Sequence, residues 1–185
     1  MLLKKQLRNT SLDQAITSLN KMATANRNLS EYKKEEIPNG ADFKVGIVVS
    51  EWNDQITFNL LNGAKQVLLE NGVLEQNILI QYVPGAFELA LGSQYFLENG
   101  EVDGVIAIGV VIQGETKHFD FVCSGTTQGI MDVMLKYNKP VAFCVLTDNN
   151  IQQSIDRSGG KLGNKGIEAA IACIKMIANK RLFNH

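Results

Sequence analysis

Apolar residues between positions 43 and 182 follow two alternating patterns, which predict strands and helices in turn. Runs rich in apolar residues predict strands at residues 43–50, 77–83, 103–112 and 141–146, and the first run is typical of a strand buried on both faces. Helical spacing of apolar residues follows at 56–70, 86–98, 119–137, 149–157 and 167–182. Strands and helices in alternation require a parallel sheet with right-handed crossovers. We therefore predict an α/β, flavodoxin-like three-layer sandwich, with a four-stranded parallel sheet and helices on both faces.

The first 40 residues differ in charge from the remainder of the chain. They carry seven Lys/Arg and four Asp/Glu, a net charge of +3, which leaves −4 for residues 41–185. Ser11-Leu12-Asp13-Gln14 has the pattern of a capping box and predicts a short helix over 11–21. The polar residues that follow, up to Gly40, are typical of a tether. We expect an N-terminal extension at 1–40 and one globular domain at 41–185.

Composition and charge exclude several classes of protein. A net charge of −1 over 185 residues is unlike the strongly basic face of a nucleic-acid binder. No stretch reaches the ~18 to 20 apolar residues of a membrane helix, and no signal-peptide core of ~7 apolar residues follows the charged start. The cysteines, Cys123, Cys144 and Cys173, form no C-x-x-C pair, so they indicate reduced thiols rather than a zinc site or a disulfide framework. We expect a cytoplasmic protein.

His118 is the residue best suited to move protons. The chain has one other histidine, His185, at its last position. His118 follows the third predicted strand and a break into polar residues at Gly114, and a helical pattern begins next to it, near Phe119. Ligands of open α/β sheets bind beyond the carboxyl ends of strands, and a helix start there offers N–H groups to a phosphate. His118, Glu115 and Thr116 therefore predict a site for a small phosphorylated molecule; the alternative is that they only cap the helix.

Two other predicted strand ends carry residue types that folding alone does not require. Trp52, the only tryptophan, lies with Asn53 in a turn, where its ring could stack on a heterocycle or cover the edge of the core. The sequence V-P-G-A-F-E turns after the second predicted strand. There Ala86, Phe87 and Glu88 could bind ligand hydroxyls. The alternative is an ordinary Pro-Gly turn followed by an acidic residue that suits the helix dipole.

A glycine- and lysine-rich stretch at 156–166 superficially resembles a phosphate-binding P-loop. It lacks the order G-x-x-x-x-G-K-[ST], and no strand directly precedes it, so it does not predict ATP chemistry. Arg157 nevertheless supplies a planar fork suited to phosphate, and Lys161 and Lys165 add positive charge. A helix-to-helix turn with glycine caps is the alternative.

In combination and order, these motifs resemble one family, the lumazine synthases (6,7-dimethyl-8-ribityllumazine synthases). The resemblance rests on W-N-D at 52–54, V-P-G-A-F-E-L at 83–89, the segment 109–122, and I-D-R followed by G-N-K-G within 155–166. It runs in one register from residue 43 to the end and leaves 1–40 outside. It implies a catalytic domain at 41–185 that condenses 5-amino-6-(D-ribitylamino)uracil with 3,4-dihydroxy-2-butanone 4-phosphate. This is the penultimate step to riboflavin, and the family needs no metal or cofactor for it.

The resemblance implies two groups of binding residues around His118, the proton-transfer residue. The group that holds the ribitylaminouracil comprises Trp52, Asn53, Ala86, Phe87, Glu88, Val110, Val111, Ile112 and Phe143. The group that holds the phosphate comprises Glu115, Thr116, Arg157 and Lys165. Phe143 and Arg157 match residues that a neighbouring subunit contributes.

The resemblance also implies self-association. Members of the family form pentamers, often assembled further into an icosahedral shell, with each active site shared between neighbours. Riboflavin synthase is a candidate partner. Two other interpretations are a non-catalytic flavin- or lumazine-binding protein and a purely structural shell protein. His118 together with Arg157 argues against the first, and the full set of pocket residues argues against the second.

Several positions depart from the family pattern. Trp52 stands where phenylalanine is common, Val110 replaces a frequent threonine, and Gln113 replaces a frequent arginine. Asp148-Asn149-Asn150 differs from the usual turn, which contains Thr-Glu. None of these changes removes a proposed catalytic group, so we expect them to act on affinity more than on activity.

Overall fold

Four parallel strands form the sheet in the computed structural model, which describes residues 28, 30–100 and 102–183. They are β1 (Val45–Ser50), β2 (Ile78–Val83), β3 (Gly104–Ile112) and β4 (Val141–Asp148). Their order in the sheet is β2-β1-β3-β4, and Val45 of β1 lies opposite both Ile78 and Gly104. The predicted four-stranded parallel sheet is confirmed.

The described part of the chain has five α-helices: α1 (Asp54–Glu70), α2 (Leu89–Glu98), α3 (His118–Tyr137), α4 (Ile151–Arg157) and α5 (Lys165–Phe183). Four of them begin within two residues of the predicted start. The helix predicted from residue 86 begins instead with a 3-10 turn at Ala86–Glu88, a common way for a helix to start. None of these helices has both the length and the apolar character that crossing a membrane needs.

Strand side chains alternate between the two faces of the sheet, and each face has its own core. On one face, Ile47, Ile108 and Leu146 pack in a cluster with residues of α1 and α5. On the other face, Val48 and Ala107 pack in a cluster with residues of α2 and α3. Burial on both faces explains the continuous apolar sequences of β1 and β3, whereas the edge strand β2 exposes Ile80 and Tyr82. The result is the predicted three-layer arrangement.

A small antiparallel hairpin replaces the predicted glycine- and lysine-rich loop. β5 (Ser158–Gly160) pairs with β6 (Gly163–Asn164), and α5 begins directly after it. Gly159 and Gly163 have φ values of +115° and +84°, which glycine adopts without the steric cost of a Cβ. The expected helix-to-helix turn with glycine caps is therefore corrected: these glycines bend a hairpin.

The residues before β1 contact the end of α1. Tyr32 Oη donates a hydrogen bond to Glu70 Oε2 at 2.6 Å, and the Gly40 N–H donates to the Asn71 carbonyl at 2.8 Å. The described part of the predicted tether is thus bound to the domain. The helix predicted at 11–21 lies outside the described residues.

Candidate active site

A cavity of about 630 Å³ opens at the carboxyl ends of β1, β2 and β3. The chain leaves β1 for β2 on one side and then returns to β3 on the other side of β1, so the strand order reverses here. Helices that cover opposite faces of the sheet diverge at such a point and leave a crevice for a ligand. The cavity is lined by Trp52, Asn53, Ala86, Phe87, Glu88, Val110, Val111, Ile112, His118, Phe121 and Val122.

The end of β1 presents Trp52 to the cavity through a sharp turn. Asn53 adopts the left-handed conformation (φ 58°, ψ 47°), which asparagine tolerates, and its carbonyl accepts hydrogen bonds from the Ile56 and Thr57 N–H groups. The chain therefore reverses directly into α1. The Trp52 N–H donates to the Pro84 carbonyl at 3.2 Å, which ties this turn to the one after β2. The Trp52 side chain is 69% exposed, so its ring face is open to a planar ligand.

The end of β2 supplies a carboxylate and backbone N–H groups. Glu88 Oε2 accepts a hydrogen bond from the Gly85 N–H at 3.0 Å, which holds the carboxylate at the cavity. The Ala86 carbonyl accepts from Thr126 Oγ1 at 3.2 Å and from the first N–H of α2. Both lone pairs of that oxygen are occupied. A ligand hydroxyl would therefore meet the N–H groups of Ala86 and Phe87 or the Glu88 carboxylate.

The end of β3 leads to His118, the first residue of α3. The His118 backbone N–H donates to Thr116 Oγ1 at 3.3 Å, so Thr116 provides a partner for the first N–H of the helix, close to what the simpler interpretation expects. That bond uses the backbone N–H and not the imidazole, and His118 is one of the residues that line the cavity. A Cβ placed on Gly114 would meet nothing within 4 Å. The space beside Gly114 is therefore open to an anion approaching the helix start.

Five predicted residues are not among those that line the cavity: Glu115, Thr116, Phe143, Arg157 and Lys165. Glu115 and Thr116 lie in the turn just before α3. Phe143 lies five residues before the end of β4, roughly 16 Å from the carboxyl edge of the sheet. Arg157 ends α4 and Lys165 begins α5, on either side of the hairpin. The single chain does not bring the last three side chains to the cavity wall.

Phe121 and Val122 also line the cavity, although no sequence motif predicts a role for either side chain. They follow His118 by three and four positions in α3, the spacing that places helical residues on one face. That spacing is the signal that could have identified them. Phe121 is 73% exposed and is the third aromatic residue of the cavity, with Trp52 and Phe87.

The titratable groups that line the cavity are His118 and Glu88. In the adjacent turn of α3, burial and then the nearby Asp120 carboxylate raise the pKa of the Cys123 thiol, which therefore stays neutral. Within the described ranges, no three His, Cys, Asp or Glu side chains group closely enough to hold a metal ion. The arrangement is suited to proton transfer beside a planar ligand held against aromatic and aliphatic side chains.

Comparison with known proteins agrees with the geometry. Residues 42–181 match the family model described as 6,7-dimethyl-8-ribityllumazine synthase. The protein of that name from Flavobacterium johnsoniae is 63% identical over 155 residues, covering 84% of this chain and 82% of the relative. The one from Christiangramia forsetii is 59% identical over 156 residues, covering 84% and 93%. The one from Porphyromonas gingivalis is 50% identical over 161 residues, covering 87% and 100%.

The range that matches the family model includes every residue of the cavity. The identities are high and extend over most of each relative's length. The resemblance seen in the sequence motifs is therefore confirmed. The chain belongs to the 6,7-dimethyl-8-ribityllumazine synthase family and is a transferase that forms 6,7-dimethyl-8-ribityllumazine in riboflavin biosynthesis.

Proposed function

We propose that the cavity is where this enzyme condenses 5-amino-6-(D-ribitylamino)uracil with 3,4-dihydroxy-2-butanone 4-phosphate. One observation carries the assignment: Trp52, Glu88 and His118 line the same cavity, so a stacking surface, a carboxylate and a proton-transfer group meet there. The volume of about 630 Å³ is typical of small-molecule sites. The absorbance of lumazine formed from the two purified substrates tests the proposal, and binding without product would contradict it.

The pyrimidine ring and the ribityl chain have separate parts of the cavity. The Trp52 ring stacks on the pyrimidine, with Asn53 beside it, and the end of β3 at Val110, Val111 and Ile112 contacts its edge. Aromatic stacking of this kind contributes ~0.5 to 1.5 kcal/mol beyond the area it buries. The ribityl hydroxyls bind the N–H groups of the 3-10 turn at Ala86–Glu88 and the carboxylate at its end.

His118 moves the protons of the reaction. An amine of the uracil attacks the ketone and forms an imine with loss of water, and phosphate is then eliminated. The second amine closes the ring on the remaining carbonyl with loss of a second water. Each step adds or removes a proton at nitrogen or oxygen, and a positioned general acid–base typically contributes ~10² to 10⁴-fold. Holding two substrates in one cavity supplies much of the remaining acceleration, because the condensation then proceeds as an intramolecular step.

The phosphate binds at the start of α3. The backbone N–H groups of the turn at Glu115 and Thr116, the open space beside Gly114 and the helix dipole favour an anion. Arg157 and Lys165 of a neighbouring subunit complete the phosphate site, and Phe143 of that subunit covers the pyrimidine. The position of Phe143, roughly 16 Å along β4 from the carboxyl edge, supports this part of the proposal, because it cannot reach its own cavity.

Self-association into pentamers would provide such neighbours. Phe87 and Phe121 are 61% and 73% exposed in the single chain, and exposed apolar surface beside a cavity is typical of an interface. Mass measurement in solution, with and without residues 1–40, distinguishes pentamers from an icosahedral shell. We place the enzyme in the cytoplasm, with riboflavin synthase as a candidate partner.

Replacing Trp52 with alanine should raise the KM for the ribitylaminouracil by about 10-fold, because the stacking surface is lost. Trp52→Phe should retain most of the affinity, since a phenyl ring still stacks. Steady-state kinetics with each substrate varied in turn would measure both effects. An unchanged KM in Trp52→Ala would show that the ring does not contact this substrate, whereas a change confined to the phosphate ester would place it at the other subsite.

Mixing two defective variants should restore activity if each site uses His118 of one subunit and Arg157 of the next. In a pentamer assembled at random from equal amounts of His118→Ala and Arg157→Ala, about one quarter of the interfaces carry both native groups. We expect refolded or co-expressed mixtures to reach about that fraction of the native rate. Each variant refolded alone is the control.

The mixing experiment separates two arrangements of the site. If both groups served a cavity within one chain, every subunit would lack one of them, and mixing would restore nothing. Activity no greater than the mean of the two variants would therefore contradict the shared site. The comparison is between the rate of lumazine formation in the mixture and the rates of the two separate variants, so it distinguishes the arrangements whatever role each group has.

A further inference from the structure

Asp148 is a buried carboxylate that contacts Arg157 from the end of β4. It is 6% exposed, and its Oδ1 lies 3.7 Å from Arg157 Nη1. Its other oxygen, Oδ2, accepts a hydrogen bond from Ser154 Oγ at 2.7 Å, and Ser154 is fully buried. This carboxylate stands at one of the positions where the sequence departs from the family pattern. One of the residues that differ from the family pattern, Asp148, therefore contacts Arg157, the arginine assigned to the phosphate.

The hydrogen bond from Ser154 determines which way the Asp148 carboxylate faces. With Oδ2 held by the hydroxyl, Oδ1 is turned toward the guanidinium. Arg157 Nη1 also donates to the Gln153 carbonyl at 3.1 Å, so this nitrogen has one hydrogen bond and one ion-pair contact. The Arg157 side chain is 36% exposed. Its remaining N–H groups are donors that a phosphate outside the chain can use, in the fixed plane that suits bidentate binding.

The backbone of Asp148 ties the same residue to the phosphate turn of its own chain. Ile112 of β3 lies opposite Asp148 of β4, and the Gln113 N–H donates to the Asp148 carbonyl at 2.9 Å. Gln113 is followed by Gly114 and the turn that precedes α3. The Asp148 backbone therefore supports the phosphate turn of its own chain. Its side chain contacts Arg157, which the proposed function assigns to the site of an adjoining subunit.

We propose that Asp148, oriented by Ser154, is a positioning residue that holds the Arg157 guanidinium for the phosphate ester. The inference rests on the proposed function, because it takes Arg157 as the phosphate-binding arginine. Asp148 itself touches no substrate. A negative charge near a phosphate site would by itself weaken anion binding, so the proposal requires that orientation of the fork outweighs repulsion.

The test is the effect of Asp148→Asn on the two substrates separately. An asparagine that accepts from Ser154 with its oxygen turns its amide NH₂, a donor, toward the guanidinium, which is a donor too. We expect the KM for the phosphate ester and the inhibition constant of inorganic phosphate to rise by about 5-fold, the scale of one partly exposed charge contact. The KM for the ribitylaminouracil should stay unchanged. Ser154→Ala should give a smaller change in the same direction.

A matched control removes a hydrogen bond of the same helix that does not reach the arginine. Gln152 Nε2 donates to Asp156 Oδ1 at 3.0 Å, so Gln152→Ala should leave both KM values unchanged. In an Arg157→Ala background, Asp148→Asn should add no further change to the KM for the phosphate ester. A purely structural role for Asp148 would instead lower the melting temperature and affect both substrates.

The outcomes separate the inference from the function on which it rests. If Arg157→Ala leaves the KM for the phosphate ester unchanged, the assignment of Arg157 to phosphate fails. If Arg157→Ala raises it and Asp148→Asn leaves it unchanged or lowers it, only the positioning role fails. Should Asp148→Asn not fold, Ser154→Ala decides, because an unchanged KM for the phosphate ester in that variant overturns the role of the oriented carboxylate.

Discussion

Replacing His118 with alanine should lower kcat by ~10² to 10⁴-fold while both substrates still bind, because this is the range expected when a general acid–base is removed. His118 lines the cavity from the first position of α3, and its backbone N–H is held there by the hydrogen bond to Thr116 Oγ1. Glu88, the other titratable group that lines the cavity, already accepts a hydrogen bond from Gly85. It is therefore poorly placed to substitute for the imidazole.

Binding and turnover can be measured independently in the His118→Ala variant. Lumazine absorbance gives the rate, and the fluorescence of Trp52, the only tryptophan in the chain, reports binding of the ribitylaminouracil. His118→Gln keeps a polar side chain of similar size but cannot exchange a proton, so we expect it to be as slow as the alanine variant. Added imidazole should partly restore the rate of His118→Ala and leave His118→Gln unchanged, because only the smaller side chain leaves room for it.

Two outcomes of these measurements would contradict the role of His118 as a general acid–base. A His118→Ala variant with a native kcat would mean that the histidine is only a neighbour of the helix cap. A low kcat with equally reduced binding of both substrates would assign it to binding instead. Rescue that depends on imidazole concentration is the result that neither alternative produces.

Local patterns predicted the position of the cavity because its parts come from consecutive strand ends. Trp52, Glu88 and His118 each follow a strand whose apolar run is unmistakable in the sequence, and parallel strands bring their carboxyl ends to one edge. These carboxyl ends lie along the same edge of the sheet whatever the order of the strands. Phe121 could have been predicted in the same way. It lies three residues after His118 in the helix, and residues at that spacing share a helical face.

The sequence patterns could not predict contacts between segments that lie far apart in the chain. Nothing in the spacing of residues indicates that Asp148 faces Arg157, because the contact depends on how α4 turns back onto the end of β4. The hairpin at Ser158–Asn164 was missed because its strands are three and two residues long, too short for a period to be recognised. A site shared between subunits is likewise invisible to periodicity, which describes only one chain.

The close crossing of α1 and α5 is another such contact, and Gly166 is the residue that permits it. A Cβ on Gly166 would lie 2.0 Å from the Leu60 carbonyl oxygen and 2.8 Å from its carbon. Both atoms belong to the backbone of α1, so no side-chain rotation can relieve the overlap. Asn164 fixes the approach from the other side, since its Oδ1 accepts from the Gly166 N–H at 2.8 Å and its Nδ2 donates to the Asn59 carbonyl at 2.8 Å.

Gly166→Ala should therefore lower the free energy of unfolding by about 3 kcal/mol or more, the upper end of the cost of overpacking a core. The two helices form the layer over one face of the sheet, and moving them apart opens the cluster around Leu60 and Ala170. Gly114→Ala is the matched control, because its Cβ meets nothing within 4 Å, and we expect no loss of stability from it. Denaturant unfolding of both variants at one protein concentration measures the difference, since assembly makes stability depend on concentration. Equal midpoints for Gly166→Ala and the native chain would show that α1 and α5 do not cross this closely in solution.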